Sequence, residues 1–214
     1  MEAEAIDNLP KVSIAGLSFC YNCPMSDLIE IEAKALIMKE DYEKLASLFK
    51  ENKSYIQINY YIDTKNCDLR KKGLSLRVRF KDKKFEMTVK VPRVEGHIEK
   101  NVYITDEEFE GINGQTSFPD NEIKKYIEDE GIDTSALYIK TVLTTKRIDA
   151  EYEGGELAID LNTYSGITDY EVELEHKDMA TAEMYLRKLF EENDIPLKFN
   201  KKSKIRRALE AIGE

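Results

Sequence analysis

Apolar and polar residues alternate with a period of two along most of this chain, the mark of strands with two unlike faces. The alternation predicts strands over Ile29–Leu36, Ile56–Asp63, Leu74–Phe80, Phe85–Val91, His97–Ile104, Tyr138–Glu151, Glu156–Leu161 and Tyr170–His176. Turn chemistry separates neighbours: Lys81-Asp82-Lys83-Lys84 joins the third and fourth strands, and Gly154-Gly155 joins the sixth and seventh as a hairpin signal. The pairing is therefore expected to be mostly antiparallel. Helical periodicity interrupts at Lys39–Lys50, briefly after Thr105, at Asp120–Glu130, at Asp178–Glu192 and at Lys204–Ile212. Thr105 and Ser203 precede two of these stretches as N-caps, because a hydroxyl there accepts from the first free backbone amides.

The two faces are sorted alike on strand after strand. In the first, Ile29, Ile31, Ala33 and Ala35 share one face while Glu30, Glu32 and Lys34 share the other. In the third, Leu74, Leu76 and Val78 oppose Arg77 and Arg79; in the fourth, Met87, Val89 and Val91 oppose Thr88 and Lys90. In the last, Tyr170, Val172 and Leu174 oppose Glu171, Glu173 and Glu175.

Two architectures satisfy this pattern: a single sheet with helices on its apolar face and water on its charged face, or a closed sheet whose charged face lines an interior. Two details favour the second. Carboxylates gather on the first and last strands and cations on the third, fourth and sixth, where Arg147 sits; like charges in rows repel and call for a counter-charge or ligand. About eight antiparallel strands also suffice to close a barrel around a lumen.

Composition narrows the function. A chain of 214 residues, 42% hydrophobic and 35% charged, fits one globular domain. A net charge of −10 argues against a dedicated nucleic-acid binder, although an acidic surface can enclose a local basic pocket. No apolar run is long enough to span a membrane, and the N-terminus lacks a basic segment before an apolar one, so a cytoplasmic protein is expected. Three cysteines, Cys20, Cys23 and Cys67, show no disulfide framework, and Cys20 and Cys23 have no second pair at zinc-ligand spacing. Residues 1–24 differ in character from the rest and read as an N-terminal extension, with Met25 as an alternative start and residues 25–214 as the domain.

Taken in order, the motifs resemble those of the CYTH superfamily, the triphosphate tunnel metalloenzymes, and most closely its Gram-positive bacterial type. Glu30-Ile31-Glu32-Ala33-Lys34 matches the hallmark Glu-x-Glu-x-Lys. There follow Gln57-x-Asn59-x-Tyr61-x-Asp63-Thr64, Leu76-Arg77-Val78-Arg79, Thr88-Val89-Lys90 and Thr144-Thr145-Lys146-Arg147. Leu157-Ala158-Ile159-Asp160, Asp169-Tyr170-Glu171-Val172-Glu173 and Ser203-Lys204-Ile205-x-Arg207 complete the series. The resemblance implies an α+β fold: an antiparallel eight-stranded barrel, or tunnel, with flanking helices, binding a triphosphate together with Mg²⁺ or Mn²⁺.

On that footing Lys34, Arg77, Arg79, Lys90, Arg147 and Lys204 are expected to bind the triphosphate, the arginines as planar forks and the lysines as point charges. Glu30, Glu32, Asp160, Glu171 and Glu173 are expected to supply the oxygen ligands that hard divalent ions require. Glu30, Glu32 and Lys34 are also the expected catalytic group. No Ser-His-Asp or Cys-His arrangement is evident, so water attack on the terminal phosphorus is favoured over a covalent intermediate. Three functions share such a cradle: a triphosphatase, an adenylate cyclase and a non-catalytic polyphosphate or nucleotide binder. Intact acidic pairs favour the first. The expected partner is a small-molecule triphosphate, with neither a nucleic-acid duplex nor a membrane, and with the chain a monomer or a homodimer.

Overall fold

A computed structural model describes residues 29–94 and 97–214. The expectations about Cys20, Cys23 and a start at Met25 lie outside the described residues. Strands run in the order β1 (Ile29–Glu30), β2 (Glu32–Ile37), β3 (Lys53–Asp63), β4 (Ser75–Lys81), β5 (Lys84–Pro92), β6 (His97–Ile104), β7 (Tyr138–Tyr152), β8 (Gly155–Tyr164) and β9 (Ile167–Glu175). The helices are α1 (Lys39–Leu48), α2 (Asp68–Lys71), α3 (Asp106–Asn113), α4 (Glu122–Asp129), α5 (Met179–Glu192) and α6 (Lys204–Glu210).

All pairing is antiparallel, in the sheet order β1-β6-β5-β4-β3-β7-β8-β9-β2. The two ends of that order are consecutive pieces of one chain segment. The expected first strand is interrupted at Ile31 because it changes partner there: β1 pairs with β6, while β2 pairs with β9 from Glu32 opposite Glu175 to Ile37 opposite Tyr170. Residues 29–37 thus bring both sheet edges together, and counted as one strand they give the eight-stranded, barrel-like form that the motifs imply.

Tight turns hold the meander. Asp82 and Lys83, Glu153 and Gly154, and Ser165 and Gly166 all have φ between 46° and 77°, the left-handed pairs that two-residue hairpins require to follow strand twist. At the second of these turns Gly154 supplies the left-handed residue, whereas Gly155 begins β8. A Cβ on Gly155 would lie 2.6 Å from the Glu175 carbonyl oxygen and 2.8 Å from a ring carbon of His176.

Helices cover the apolar outer face in two groups. One core packs Leu76, Val78, Met87 and Val89 against Phe109 and Ile112 of α3 and Ile123 and Ile127 of α4. The other packs Ala35, Ile159, Val172 and Leu174 against Leu45 of α1 and Leu186, Leu189 and Phe190 of α5. Each fully buried Leu, Ile or Phe contributes about 1.5–3 kcal/mol relative to exposure. Both proposed caps are present: Thr105 forms a reciprocal capping box with Glu108, and the Ser203 hydroxyl accepts from the Arg206 amide. The short α2 has no hydrophobic period and was not expected. It is fixed by a buried acid, Asp63, whose carboxylate accepts from the amides of Thr64, Leu69 and Arg70.

α6 is the exception among the helices, because it packs on inward-facing residues. Ala208 and Ile205 meet Tyr61, Leu143 and Tyr164, side chains of the same parity as the charged ones. Among the described residues no helix is long and apolar enough to cross a membrane.

Replacing Gly155 with Val is expected to destabilise the protein by about 1–3 kcal/mol through overpacking against β9. Denaturant unfolding, with Gly154→Ala as a comparison for turn strain alone, measures this.

Candidate active site

The inner face of the sheet surrounds a cavity of about 540 Å³. Its lining includes Glu30, Glu32, Lys34, Arg77, Arg79, Lys90, Arg147, Glu173 and Lys204, nine of the eleven site residues expected from the sequence. Asp160 and Glu171 are absent from the lining. Both are fully buried behind the cations.

The sequence suggested an acidic wall facing a basic one. The structure interleaves them instead. Arg147 donates Nε and Nη2 to the two carboxylate oxygens of Asp160, at 2.7 and 2.6 Å, and Nη2 again to Glu173 at 2.8 Å. The Lys204 ammonium lies 3.0 Å from Asp160, 2.8 Å from Glu171 and 2.5 Å from Glu173. Arg207 donates to both oxygens of Glu171, at 2.9 and 3.0 Å, and to Asp169 at 2.8 Å, while the Asn200 amide donates to Glu171. Buried carboxylates and cations can coexist only when each charge is met in this way.

Electrostatics follow from these contacts. Burial by itself would raise the Glu173 carboxyl, but Lys204, Arg147 and Lys34 hold it well below the usual carboxylate range. Burial likewise works against the Lys204 ammonium, and Glu173, Asp160 and Glu171 outweigh it, so Lys204 keeps its proton more firmly than a free lysine.

A second group of charges lies around β1. Lys90 donates to Glu30 at 2.5 Å and pairs with Glu99, and Arg77 lies 3.5 Å from Glu99. Burial favours a protonated Glu99, yet Arg77 and Lys90 hold that carboxyl down to about 2. Lys34 donates to Glu32 at 2.5 Å. Glu30 is raised by burial and, despite Lys90, by Glu32 and Glu99. Glu175, opposite Glu32 in the ladder, is raised to about 7 by burial and by Glu30, Glu156, Glu32 and Glu99.

Arg79 is held differently from Lys34, Arg77, Lys90, Arg147 and Lys204. Its Nε donates to a neutral group, the Asn59 carbonyl oxygen, at 3.0 Å. Among the described residues it has no carboxylate within ion-pair reach. Burial, then Arg77 and Arg147, push the guanidinium down to about 10 against the pull of Tyr61 and of Glu86, its ladder partner on β5, so it remains charged at neutral pH.

Several contributing residues were left out of the expected site. Glu99 and His97 share the inward parity of β6, a signal that period-two reading could have found. Arg207 stands in the C-terminal motif, but only its contacts with Glu171 and Asp169 disclose its role. Arg206 also lines the cavity and pairs with Glu210 on α6.

The fold is a barrel-like antiparallel sheet, a tunnel whose interior is lined by charged side chains of both signs. The chain belongs to the CYTH domain family, whose profile matches residues 28–209. It is 31% identical over 184 residues to YjbK of Bacillus subtilis, provisionally named a triphosphatase, covering 85% of this chain and 95% of that protein. The fold is also similar to a Bacillus halodurans protein provisionally named an adenylate cyclase, with a TM-score of 0.77 and 31% identity over 84% of this chain and 96% of the other. It resembles HpAC1 from Hippeastrum, provisionally named an adenylyl cyclase and described as having a dominant triphosphatase activity, with a TM-score of 0.73 and 21% identity over 86% and 96% of the two chains.

Replacing Arg207 with Met is expected to cost about 3–5 kcal/mol, since Glu171 is left buried without its guanidinium. Arg206→Met, whose side chain is 66% exposed, is expected to cost less than about 1 kcal/mol. Denaturant titration of both variants measures the contrast.

Glu175 gives a pH signature. A carboxyl raised from 4.5 to about 7 in the fold binds more protons folded than unfolded across that interval. Its contribution to stability is full below about pH 4.5 and is lost as pH rises through about 7. Glu175→Gln, measured without divalent metal, is therefore expected to match the wild type near pH 4.5 and to melt at a higher temperature at pH 8.

Proposed function

We propose that this protein is a metal-dependent triphosphatase that hydrolyses inorganic triphosphate, or a small molecule carrying a triphosphate, by water attack on the terminal phosphorus. The observation that carries the reading is Arg79: a half-buried guanidinium in the lumen that, among the described residues, makes no ion pair and donates to the neutral Asn59 carbonyl oxygen. Leaving such a charge uncompensated is costly, and an anion entering beside it supplies the missing counter-charge. Arg77 and Lys90 on neighbouring strands extend this cation surface. A triphosphate has the several negative charges and the chain of oxygens that such a row of donors can engage.

The residues present fit a hard divalent ion. Among the described residues no three His, Cys, Asp or Glu side chains form a closed metal cage. Mg²⁺ or Mn²⁺ in phosphoryl-transfer sites needs only one or two carboxylates, with phosphate and water completing the shell. Glu30 and Glu32 face the cavity two residues apart, and Glu30, raised by burial and then by Glu32 and Glu99 despite Lys90, is a carboxylate that added positive charge would favour. These two residues, with Glu173 on the adjacent strand β9, would hold the ion. When bound, it supplies charge neutralisation at the phosphate oxygens and Lewis-acid polarisation.

The chain's own residues do the rest. Arg77, Arg79 and Lys90 hold the phosphates, and Lys34 and Lys204 add charge from the opposite side of the lumen. Asp160 and Glu171 act from behind, keeping Arg147 and Lys204 fixed at the cavity wall. Fixed donors of this kind stabilise developing charge without reorganising during the reaction.

The purified protein is expected to release orthophosphate from inorganic triphosphate with Mg²⁺ or Mn²⁺ present. Assays with ATP and thiamine triphosphate, followed for phosphate, pyrophosphate and cyclic AMP, define the substrate. Cyclic AMP with pyrophosphate from ATP would replace the hydrolase reading with a cyclase. Binding of triphosphate without any product would reduce it to a binder.

Arg79→Ala is expected to raise KM for triphosphate about tenfold or more, the loss of one charge-assisted contact. Glu30→Gln and Glu32→Gln are expected to raise the Mg²⁺ concentration required for half-maximal rate by about tenfold, with a matching loss in calorimetric Mn²⁺ binding. Unchanged metal dependence in both variants contradicts their assignment.

A further inference from the structure

We propose that Gln57 positions the attacking water, an inference that rests on the triphosphatase reading and assigns a residue to its nucleophile. Gln57 lines the cavity and is 1% exposed. Its side-chain carbonyl oxygen is fully buried and has no hydrogen-bond partner. Buried polar atoms are nearly always partnered, so an orphan acceptor inside a cavity points to something that the cavity receives.

Its neighbours sharpen the point, because each has already found a partner. The Asn59 carbonyl oxygen, two residues along the same face, accepts from Arg79. Thr145, directly opposite Gln57 on β7, gives its hydroxyl proton to Asn162. Arg147, opposite Tyr55, is engaged by Asp160 and Glu173. Thr88 also has an unpartnered hydroxyl but lies outside the cavity lining, and Arg77 Nε, unpartnered inside it, is a donor that suits phosphate itself.

The Gln57 carbonyl oxygen, unlike its amide NH2, has no use in a wall built only to bind an anion. Phosphate oxygens accept hydrogen bonds, and the arginines and lysines of this wall donate them; a carbonyl oxygen also accepts and gains nothing from phosphate. It requires a donor. Water is the donor available in an aqueous phosphate site, and one that gives a proton to Gln57 keeps its lone pairs free. Gln57 lies between the rungs that carry Arg147 and Arg79, so such a water sits beside the phosphate that these cations border. A neutral glutamine that orients water is an effective device in phosphoryl transfer because it adds no negative charge near the phosphate.

In the step itself, the water oxygen forms a bond to the terminal phosphorus, and the bond from that phosphorus to its bridging oxygen breaks. The bridging oxygen leaves with the electron pair on pyrophosphate. The two water protons are divided between orthophosphate and pyrophosphate, and the amide is unchanged at the end. Gln57 orients the nucleophile and does not take its proton.

Gln57→Met removes the acceptor at similar volume and Gln57→Glu keeps one. For Gln57→Met the expected result is a fall in kcat of about 10- to 100-fold, with KM and the calorimetric Kd for inorganic triphosphate within about twofold of wild type. Gln57→Glu is expected to turn over faster than Gln57→Met at saturating substrate and to show a new acidic limb in its kcat–pH profile. Should Gln57→Met fail to fold, as judged by its melting transition, Gln57→Asn carries the same expectation of lowered kcat with preserved Kd. A raised Kd with unchanged kcat would show the amide donating to phosphate and overturns the proposal, as does no change in either constant. Wild-type protein that binds triphosphate but never hydrolyses it removes the triphosphatase reading and this role together, whereas normal turnover by Gln57→Met overturns this role alone.

Discussion

Everything in this molecule depends on how charge is balanced inside a sheet that folds back on itself. Turning the charged face inward removes carboxylates and ammonium groups from water, a cost that no amount of apolar packing on the outer face could offset if the charges stayed unpaired. The solution is a lattice in which Asp160, Glu171 and Glu173 share Arg147, Lys204 and Arg207. Cations on one helix and one strand are locked to acids on two others, so the same contacts that keep the lumen tolerable also fix the geometry of its wall. At Arg79 the lattice stops short. That deficiency distinguishes a site from a merely satisfied interior.

The fold was largely legible in the sequence because both of its periodicities are strict. Alternation located every long strand, and helical spacing behind Thr105 and Ser203 located their helices. The break at Ile31 was not legible, since nothing in Glu30-Ile31-Glu32 distinguishes a strand that keeps its partner from one that changes it; only closure imposes the change. The short helix after Asp63 was equally hidden, because its order comes from one buried carboxylate holding three amides rather than from a pattern of apolar positions.

For the site, parity showed which residues face inward but not what each one touches. Lys34, Lys90 and Arg77 could be placed in the lumen from alternation alone. That Lys204 spans three carboxylates, or that Glu171 is held from behind by Arg207, depends on α6 entering from outside the sheet pattern. The neutral positions were harder still: Gln57 and Asn59 have the same inward parity and similar chemistry, yet one amide oxygen is engaged by Arg79 and the other by nothing.

The partner change at Ile31 has a consequence for how the chain acquires its chemistry. The first strand made must wait for the last, since Glu32 finds its ladder position only opposite Glu175, more than a hundred residues later. Such distant pairing is slow and forms late, after nearer hairpins have been secured. A nascent or truncated chain lacking β9 would leave β2 without its ladder partner and present an open sheet with an unsatisfied edge. The lumen is therefore complete only once the last strand has paired, however early its hairpins form.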